Sequence, residues 1–348
     1  MANSYHVALN KNYTIKIRAL LAELPVLCGS FFRAIDSQTS VLTRYAYAVD
    51  LRGFFQFAAQ QSDLFAGQDI PSLTAADLEK VQAYHIELFL SEVSFYHKGD
   101  REWINQERAK ARKLSSLRSF FKFLHKQEYL PTNVAALVDI PKLSEKAIIR
   151  LEPNEVANLL DLAENGEGLT DRQKAYHAST KLRDVAILTL FLGTGIRISE
   201  LVGIDCTDID FENNAFVVTR KGGNEDILHF GDEVHTALSD YLAIREKFSP
   251  LSGHEQALFL SLQRRRMNVR TVELLVKKYA ALATPLKKIT PHKLRSTYGT
   301  MLYHETEDIY LVADVLGHKD VNTTRKHYAA SSEEHKRIAA KKIKLRED

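Results

Sequence analysis

Leu316-Gly317-His318, followed after a polar turn by Lys326-His327-Tyr328-Ala329, closes a series of segments whose order decides how this chain reads. Upstream stand Pro291-His292-Lys293-Leu294-Arg295 and Gly195-Ile196-Arg197-Ile198-Ser199-Glu200, and between them Arg220-Lys221-Gly222-Gly223. Two arginines, a lysine, two histidines and a tyrosine in this order suit attack on a phosphodiester. A tyrosine can hold a phosphodiester as a covalent ester, which conserves the bond for a later rejoining step. Arginine suits the charge that builds on phosphorus, because its planar fork makes paired, permanently charged hydrogen bonds to phosphate oxygens. A positioned lysine can protonate a departing sugar oxygen. Each residue alone has a structural reading as well. Arg197 can pair with Glu200 on a helix, Arg295 can lie on the surface, His318 can satisfy carbonyls beyond the Gly317 helix stop, and Tyr328 can be a half-buried aromatic.

The composition sets the frame for those segments. A length of 348 residues suggests two domains, at about 100–200 residues each. With 45% hydrophobic and 26% charged residues, the chain falls among globular proteins rather than disordered or membrane-spanning ones. It contains no apolar run of about 18 residues and no charged, apolar and small-residue series at its N-terminus, so a cytoplasmic location is expected. Cys28 and Cys206 stand far apart in sequence, which gives neither a disulfide framework nor paired zinc spacing. Both read as buried small hydrophobes. No phosphate-binding glycine loop appears, and no acidic cluster suggests a magnesium site.

Net charge is only +3, and its distribution matters more than the sum. Basic residues crowd the segment from Lys98 to Lys126, among them Lys110, Arg112, Lys113, Arg118 and Lys122. The segment reads either as a phosphate-neutralising surface for DNA or as a solvated helix face. The interleaved Leu114, Leu117, Phe120, Phe121 and Leu124 recur at helical spacing, which predicts core packing rather than base stacking.

The N-terminal part reads as helices. Pro25 should break the pattern running from Tyr13 to Phe32, Ser40 should cap one helix, and Thr74 with Asp77 should open another. Pro131, Pro141 and Pro153 then punctuate a stretch without a long period, which predicts a linker over 141–153. Beyond it, a helix over Pro153–Ala163 precedes a polar stretch, Glu164–Ser179, read as an inserted loop. A strongly apolar helix over Arg183–Leu192 ends at Gly193-Thr194-Gly195. Phe216–Thr219 and Ile227–Phe230 flank a glycine turn as two strands. Four further helices are expected over Val234–Phe248, Val269–Leu282, His292–His304 and Ile309–Leu316. The fold class is therefore mainly α with a small β-hairpin.

The ordered segments resemble the tyrosine recombinase (phage integrase) family over nearly the whole chain. The likeness rests on Gly195-Ile196-Arg197-Ile198-Ser199-Glu200-Leu201, Arg220-Lys221-Gly222-Gly223, His292-Lys293-Leu294-Arg295, and Leu316-Gly317-His318 with Tyr328. Within the family it looks most like the Xer recombinases of the single-recombinase, XerS-like kind, through Val218-Thr219-Arg220-Lys221-Gly222-Gly223, Tyr241-Leu242-Ala243-Ile244-Arg245 and Ala257-Leu258-Phe259-Leu260-Ser261-Leu262. Leu117-Arg118-Ser119-Phe120-Phe121-Lys122-Phe123-Leu124 is similar to the family's core-binding domain. His327 before Tyr328, and Ser296 where many relatives have histidine, depart from the pattern.

The resemblance implies a two-domain, C-shaped DNA clamp. Residues 1–140 would form a helical DNA-binding domain, 141–153 a linker, 154–330 the catalytic domain, and 331–348 a tail that contacts a neighbouring subunit. It makes Tyr328 the nucleophile, Lys221 the general acid, Arg197 and Arg295 the phosphate clamp, His318 a hydrogen-bond donor and His292 an aid to proton movement. Glu200 would orient Arg197, or form a plain helix ion pair with it. The implied partners are a double-stranded recombination site, three further copies in a tetramer on two sites, and a DNA translocase of the FtsK type. The implied activity is site-specific strand exchange through a 3′-phosphotyrosyl intermediate, of the kind that resolves chromosome dimers, and it implies no metal or nucleotide cofactor, because the covalent ester conserves the bond energy. An integrase or excisionase of a mobile element would share every one of these residues. A type IB topoisomerase and a non-catalytic DNA clamp are the rival classes.

Overall fold

A computed structural model describes residues 4–61, 63–98, 101–104, 107–142, 148–220, 223–318, 320–322 and 324. Lys221, Tyr328, His327 and the tail over 331–348 lie outside the described residues, as does the middle of the expected linker. The chain divides into two compact units, Met1–Lys146 and Ala147–Asp348.

The first unit is built from helices α1 (Ser4–Leu21), α2 (Val26–Ala34), α3 (Val41–Ala58), α4 (Ala75–Leu78), α5 (Ala83–Glu92) and α6 (Glu107–Lys126), with an antiparallel hairpin of β1 (Phe95–Lys98) and β2 (Arg101–Ile104). Pro25 stands at the N-cap of α2, so the break falls where the missing backbone donor demands it. The Ser40 side chain accepts from the Thr43 N–H, and Thr74 and Asp77 cap each other's backbone groups at the start of α4. The apolar stripe of α6 supplies Leu114, Leu117, Phe120, Phe121 and Leu124, all fully buried. Phe120 meets Phe31 edge to face with 5.4 Å between ring centres, and Phe54 meets Phe89 in the same way at 5.5 Å. These rings form the core, as their spacing predicts. The hairpin β1–β2 was not foreseen, because its residues merge into the basic stretch that precedes α6.

The second unit contains α7 (Pro153–Asn165), α8 (Asp171–Thr194), α9 (Ile198–Leu201), β3 (Ile209–Asp210), β4 (Ala215–Thr219), β5 (Glu225–His229), α10 (Asp232–Arg245), α11 (Val269–Ala283), α12 (Pro291–Thr306) and α13 (Ile309–Val315). The sheet has the order β3-β4-β5, antiparallel throughout, with Thr219 opposite Glu225 at the hairpin end and Val218 opposite Asp226 beside it. Helix α8 is the central element, packed by α7, α10 and α12. Its residues Val185 to Leu192 are all buried.

One expectation is corrected here. Residues 164–179 are not an inserted loop: α7 ends at Gly166 in a left-handed turn, and α8 already starts at Asp171. The Thr170 hydroxyl accepts from the Gln173 N–H while the Gln173 side chain accepts from the Thr170 N–H, a reciprocal cap that starts the helix. The first turns of α8 are solvent-exposed, so they carry no apolar period, and continuity with the buried half holds them helical. Cys28 is buried, as expected, but Cys206 is only half-buried, with its thiol toward the Ala257 carbonyl at 3.7 Å. Burial raises both thiol pKa values, which keeps them protonated and unreactive.

Candidate active site

The buried run of α8 ends at Gly195, whose φ of +61° lies in the left-handed region and whose N–H closes on the Phe191 carbonyl. A side chain at this position would be strained, and a Cβ would also fall 2.4 Å from the Tyr298 ring and 2.9 Å from Leu316. The tight turn delivers Arg197 to the N-cap of α9. There one Glu200 oxygen accepts the Arg197 backbone N–H at 2.9 Å and the other accepts its Nη1–H at 2.8 Å. Glu200 is buried, at 4% exposure, so the carboxylate is held by these partners rather than by water.

Arg295 projects from α12, one turn beyond the exposed His292. It is itself buried at 4% exposure. Its guanidinium donates to the Gly195 carbonyl and to the Leu316 carbonyl. Burial raises the phenol pKa of Tyr298 on the same helix, against the opposing pull of Arg295.

The third segment is the end of α13. Gly317, at φ +58°, turns the chain out of the helix, with its N–H on the Asp314 carbonyl and the His318 N–H on the Ala313 carbonyl. The carbonyls at this end turn toward the arginines. Arg197 Nη2 donates to Leu316 O at 3.1 Å and Gly317 O at 3.0 Å, and Arg220 Nη2 reaches Val315 O at 3.4 Å. A helix C-terminus carries partial negative charge and unsatisfied carbonyls, so it is a natural seat for guanidinium groups. His318 is half-buried, with Nδ1 2.7 Å from the hydroxyl of the fully buried Thr324. If that hydroxyl donates to Nδ1, the neutral ring carries its hydrogen on Nε2.

The structure thus brings Arg197, Glu200, Arg295 and His318 together from three separate segments. Arg220 belongs to the same cluster, a residue that the motif alone did not single out. Three donated bonds fix Arg197, yet its side chain keeps 33% of its surface exposed, which leaves it able to meet a ligand. Among the described residues no group of three or more His, Cys, Asp or Glu side chains is arranged to hold a metal ion, and no helix is long and apolar enough to cross a membrane.

The basic residues singled out on α6 are placed differently from one another. Lys110 pairs with Glu107 at 2.6 Å, while Arg112 and Lys113 both turn to the carboxylate of Asp50, which also accepts from the Ser116 hydroxyl at 2.7 Å. Asp50 is fully buried, and a buried charge of this kind is held by its partners. Arg118 donates to the Ala135 and Val138 carbonyls and so fixes the 3-10 helix Val134–Leu137 against α6. Lys122 is exposed and lines a shallow groove with Arg118, Ser119, Asn133 and Ala136.

Comparison with known proteins agrees with this picture. Residues 150–335 match the Phage integrase family, and residues 30–128 match the phage integrase N-terminal SAM-like domain. The chain belongs to the phage integrase family, the site-specific tyrosine recombinases. Among its relatives, the tyrosine recombinase XerC of Caldanaerobacter subterraneus subsp. tengcongensis is 33% identical over 303 residues, covering 85% of this chain and 80% of that one. The tyrosine recombinase XerS of Streptococcus thermophilus is 31% identical over 312 residues, covering 82% and 86%. The fold is shared with the XerH site-specific recombinase bound to a palindromic difH substrate in a post-cleavage complex, with a TM-score of 0.66 at 18% identity, covering 96% of this chain and 88% of that one.

Proposed function

We propose that this recombinase exchanges strands at a specific double-stranded DNA site as a Xer-type enzyme that resolves chromosome dimers in the cytoplasm. The observation that carries the chemical part is the convergence of Arg197 and Arg295 on the carbonyls of Gly195, Leu316 and Gly317, with His318 next in the chain. These charged donors are fixed before any phosphate arrives, so little reorganisation accompanies the reaction.

The Tyr328 phenol oxygen attacks the scissile phosphorus, and the bond from phosphorus to the 5′-oxygen breaks. A 3′-phosphotyrosyl ester and a free 5′-hydroxyl result. The phenol proton leaves by way of His292, and Lys221 gives a proton to the departing 5′-oxygen. Arg197 and Arg295 hold the non-bridging oxygens, His318 donates a further hydrogen bond, and Glu200 orients Arg197. Attack of a second strand's 5′-hydroxyl on the ester reverses these steps and forms the Holliday junction. Bond energy is conserved in the ester, so the sequence needs neither metal nor nucleotide. Lys110, Arg112, Lys113 and Lys122 supply phosphate contacts along the duplex. Four copies on two sites, joined through the tail over 331–348 and responsive to an FtsK-type translocase, complete the proposed assembly.

Covalent trapping tests the proposal. Wild type and Tyr328→Phe are incubated with nicked duplexes that carry candidate chromosomal or element-end sites, then resolved on denaturing gels. An adduct that depends on Tyr328 and forms on a chromosomal site is the expected result. An adduct only on element ends turns the reading to a mobile-element integrase, and DNA binding without any adduct refutes the catalytic assignment.

A further inference from the structure

Arg220 occupies an unusual place for a residue at the end of a surface hairpin. Its side chain is only 11% exposed. Nε donates to Asp226 Oδ2 at 2.8 Å, Nη1 lies 3.4 and 3.5 Å from the two Glu200 oxygens, and Nη2 reaches the Val315 carbonyl at 3.4 Å. The backbone of Gly317 presses against the same guanidinium, because a Cβ there would fall 2.9 Å from Arg220 Cζ. The Arg220 N–H donates to the Asn224 carbonyl and the Gly223 N–H donates to the Arg220 carbonyl, so the base of the hairpin tip closes on this one residue. Lys221 is the next residue in sequence.

Withdrawing a guanidinium from water costs several kcal/mol unless its donors are matched. Here they are matched by three different elements: β5 through Asp226, α9 through Glu200, and the end of α13 through Val315. Glu200 serves both Arg197 and Arg220, so one buried carboxylate links the phosphate-binding arginine to the hairpin. A lysine at 220 could not reproduce this, since its single ammonium lacks the fork that spans separated acceptors.

We infer that Arg220 is a positioning residue for Lys221: it fastens the hairpin that carries the general acid to Glu200 and to the α13 end, so that acid and phosphate clamp share one frame. The inference rests on the recombinase reading above and deepens it. It makes a chemical prediction that a merely structural role does not. A misplaced general acid matters only while the leaving group needs a proton, and a sulfur atom in the 5′-bridging position leaves as a stable thiolate without one.

The test measures covalent adduct formation on nicked duplexes with either oxygen or sulfur in that position, for wild type, Arg220→Gln, Arg220→Lys, Lys221→Ala and Arg197→Ala. Arg220→Gln should lose roughly 10- to 100-fold on the oxygen substrate, a part of the roughly 100- to 10,000-fold that a general acid contributes, and return to within a few-fold of wild type on the sulfur substrate. Lys221→Ala should behave alike, Arg220→Lys should fall between, and Arg197→Ala should stay defective on both. If Arg220→Gln does not fold, Asp226→Asn, which loosens the same guanidinium from the hairpin side, should show a several-fold loss with the same sulfur rescue. Equal losses on both substrates, or no loss on oxygen, overturn this inference alone. A wild type that forms no Tyr328-dependent adduct on either substrate overturns the recombinase reading and this inference with it.

Discussion

Gly195→Ala tests the turn on which the site is hung. At φ +61° a residue with a Cβ is held in the left-handed region, at a cost of about 1–2 kcal/mol. The new methyl group would also lie 2.4 Å from the Tyr298 ring and 2.9 Å from Leu316, and forcing apart packed groups of this kind costs about 1–3 kcal/mol more. The expected destabilisation is therefore about 2–5 kcal/mol. Gly253→Ala is the internal control: its φ is +83°, and nothing lies within 4 Å of the position a Cβ would take, so only the backbone cost of about 1–2 kcal/mol applies. Hydrogen exchange in urea, read on peptides from α8 and α12 of the full chain, is the suitable assay. The Gly195 carbonyl is an acceptor for Arg295 and Leu316 carries another, so adduct formation by Gly195→Ala should also fall roughly 10- to 100-fold, as expected when catalytic groups are displaced by a fraction of an ångström or more. Gly253→Ala should keep wild-type activity. Equal destabilisation by the two substitutions, or a wild-type cleavage rate for Gly195→Ala, would refute the close-approach reasoning.

The remaining predictions concern the basic helix and its supports. Lys122→Ala should leave stability unchanged and lower the slope of log affinity for DNA against log salt by about 1. Arg118→Ala should instead destabilise the first unit by about 1–3 kcal/mol, because it strips the Ala135 and Val138 carbonyls of their charged donor; a thermal melt followed by far-ultraviolet circular dichroism separates the two outcomes. Asp50→Ala removes the acceptor shared by Arg112, Lys113 and Ser116 and should cost about 2–3 kcal/mol in the same melt. An unchanged melt would show that Arg112, itself half exposed, finds solvent as readily as Asp50. Glu200→Gln should weaken phosphate-dependent DNA binding and cleavage together, and a loss confined to stability would mark it as a plain helix cap.

Much of the site was legible because its logic is local. Glu200 stands three residues from Arg197, the separation that lets a carboxylate cap the first turn of a short helix and grip the arginine that precedes it. Gly195 and Gly317 mark helix ends that only a left-handed turn completes. The aromatic stripe of α6 declared its burial through spacing alone. What stayed hidden was long-range or exposed. Asp50 and Arg112 are separated by 62 residues, and nothing in either neighbourhood signals the pair. The exposed half of α8 carries no apolar period, so pattern reading took it for a loop. Arg220 entered only as the first residue of Arg220-Lys221-Gly222-Gly223, since its burial depends on Glu200, Asp226 and α13, which approach from three other stretches of chain.

The end of α13 explains why these distant stretches must meet. Its last carbonyls have no partner within the helix, and in this fold they are satisfied by side chains that would otherwise repel one another. Arg197, Arg220 and Arg295 bring three positive charges to this end, and the carboxylates of Glu200 and Asp226 offset only two of them. The helix carbonyls make up part of the difference without cancelling it, because they contribute fractional charge only. A residual positive field therefore remains beside the exposed third of Arg197. That field is set by folding rather than by the arrival of a ligand, so under the proposed function a phosphodiester would meet donors already oriented. A substitution that disturbs the carbonyl end, even one with no charge of its own such as Gly317→Ala, should accordingly weaken cleavage as an arginine replacement does. Gly317→Ala would strain a backbone at φ +58° and thrust a Cβ to 2.9 Å from Arg220, displacing the platform while leaving every side chain of the proposed catalytic set in the sequence.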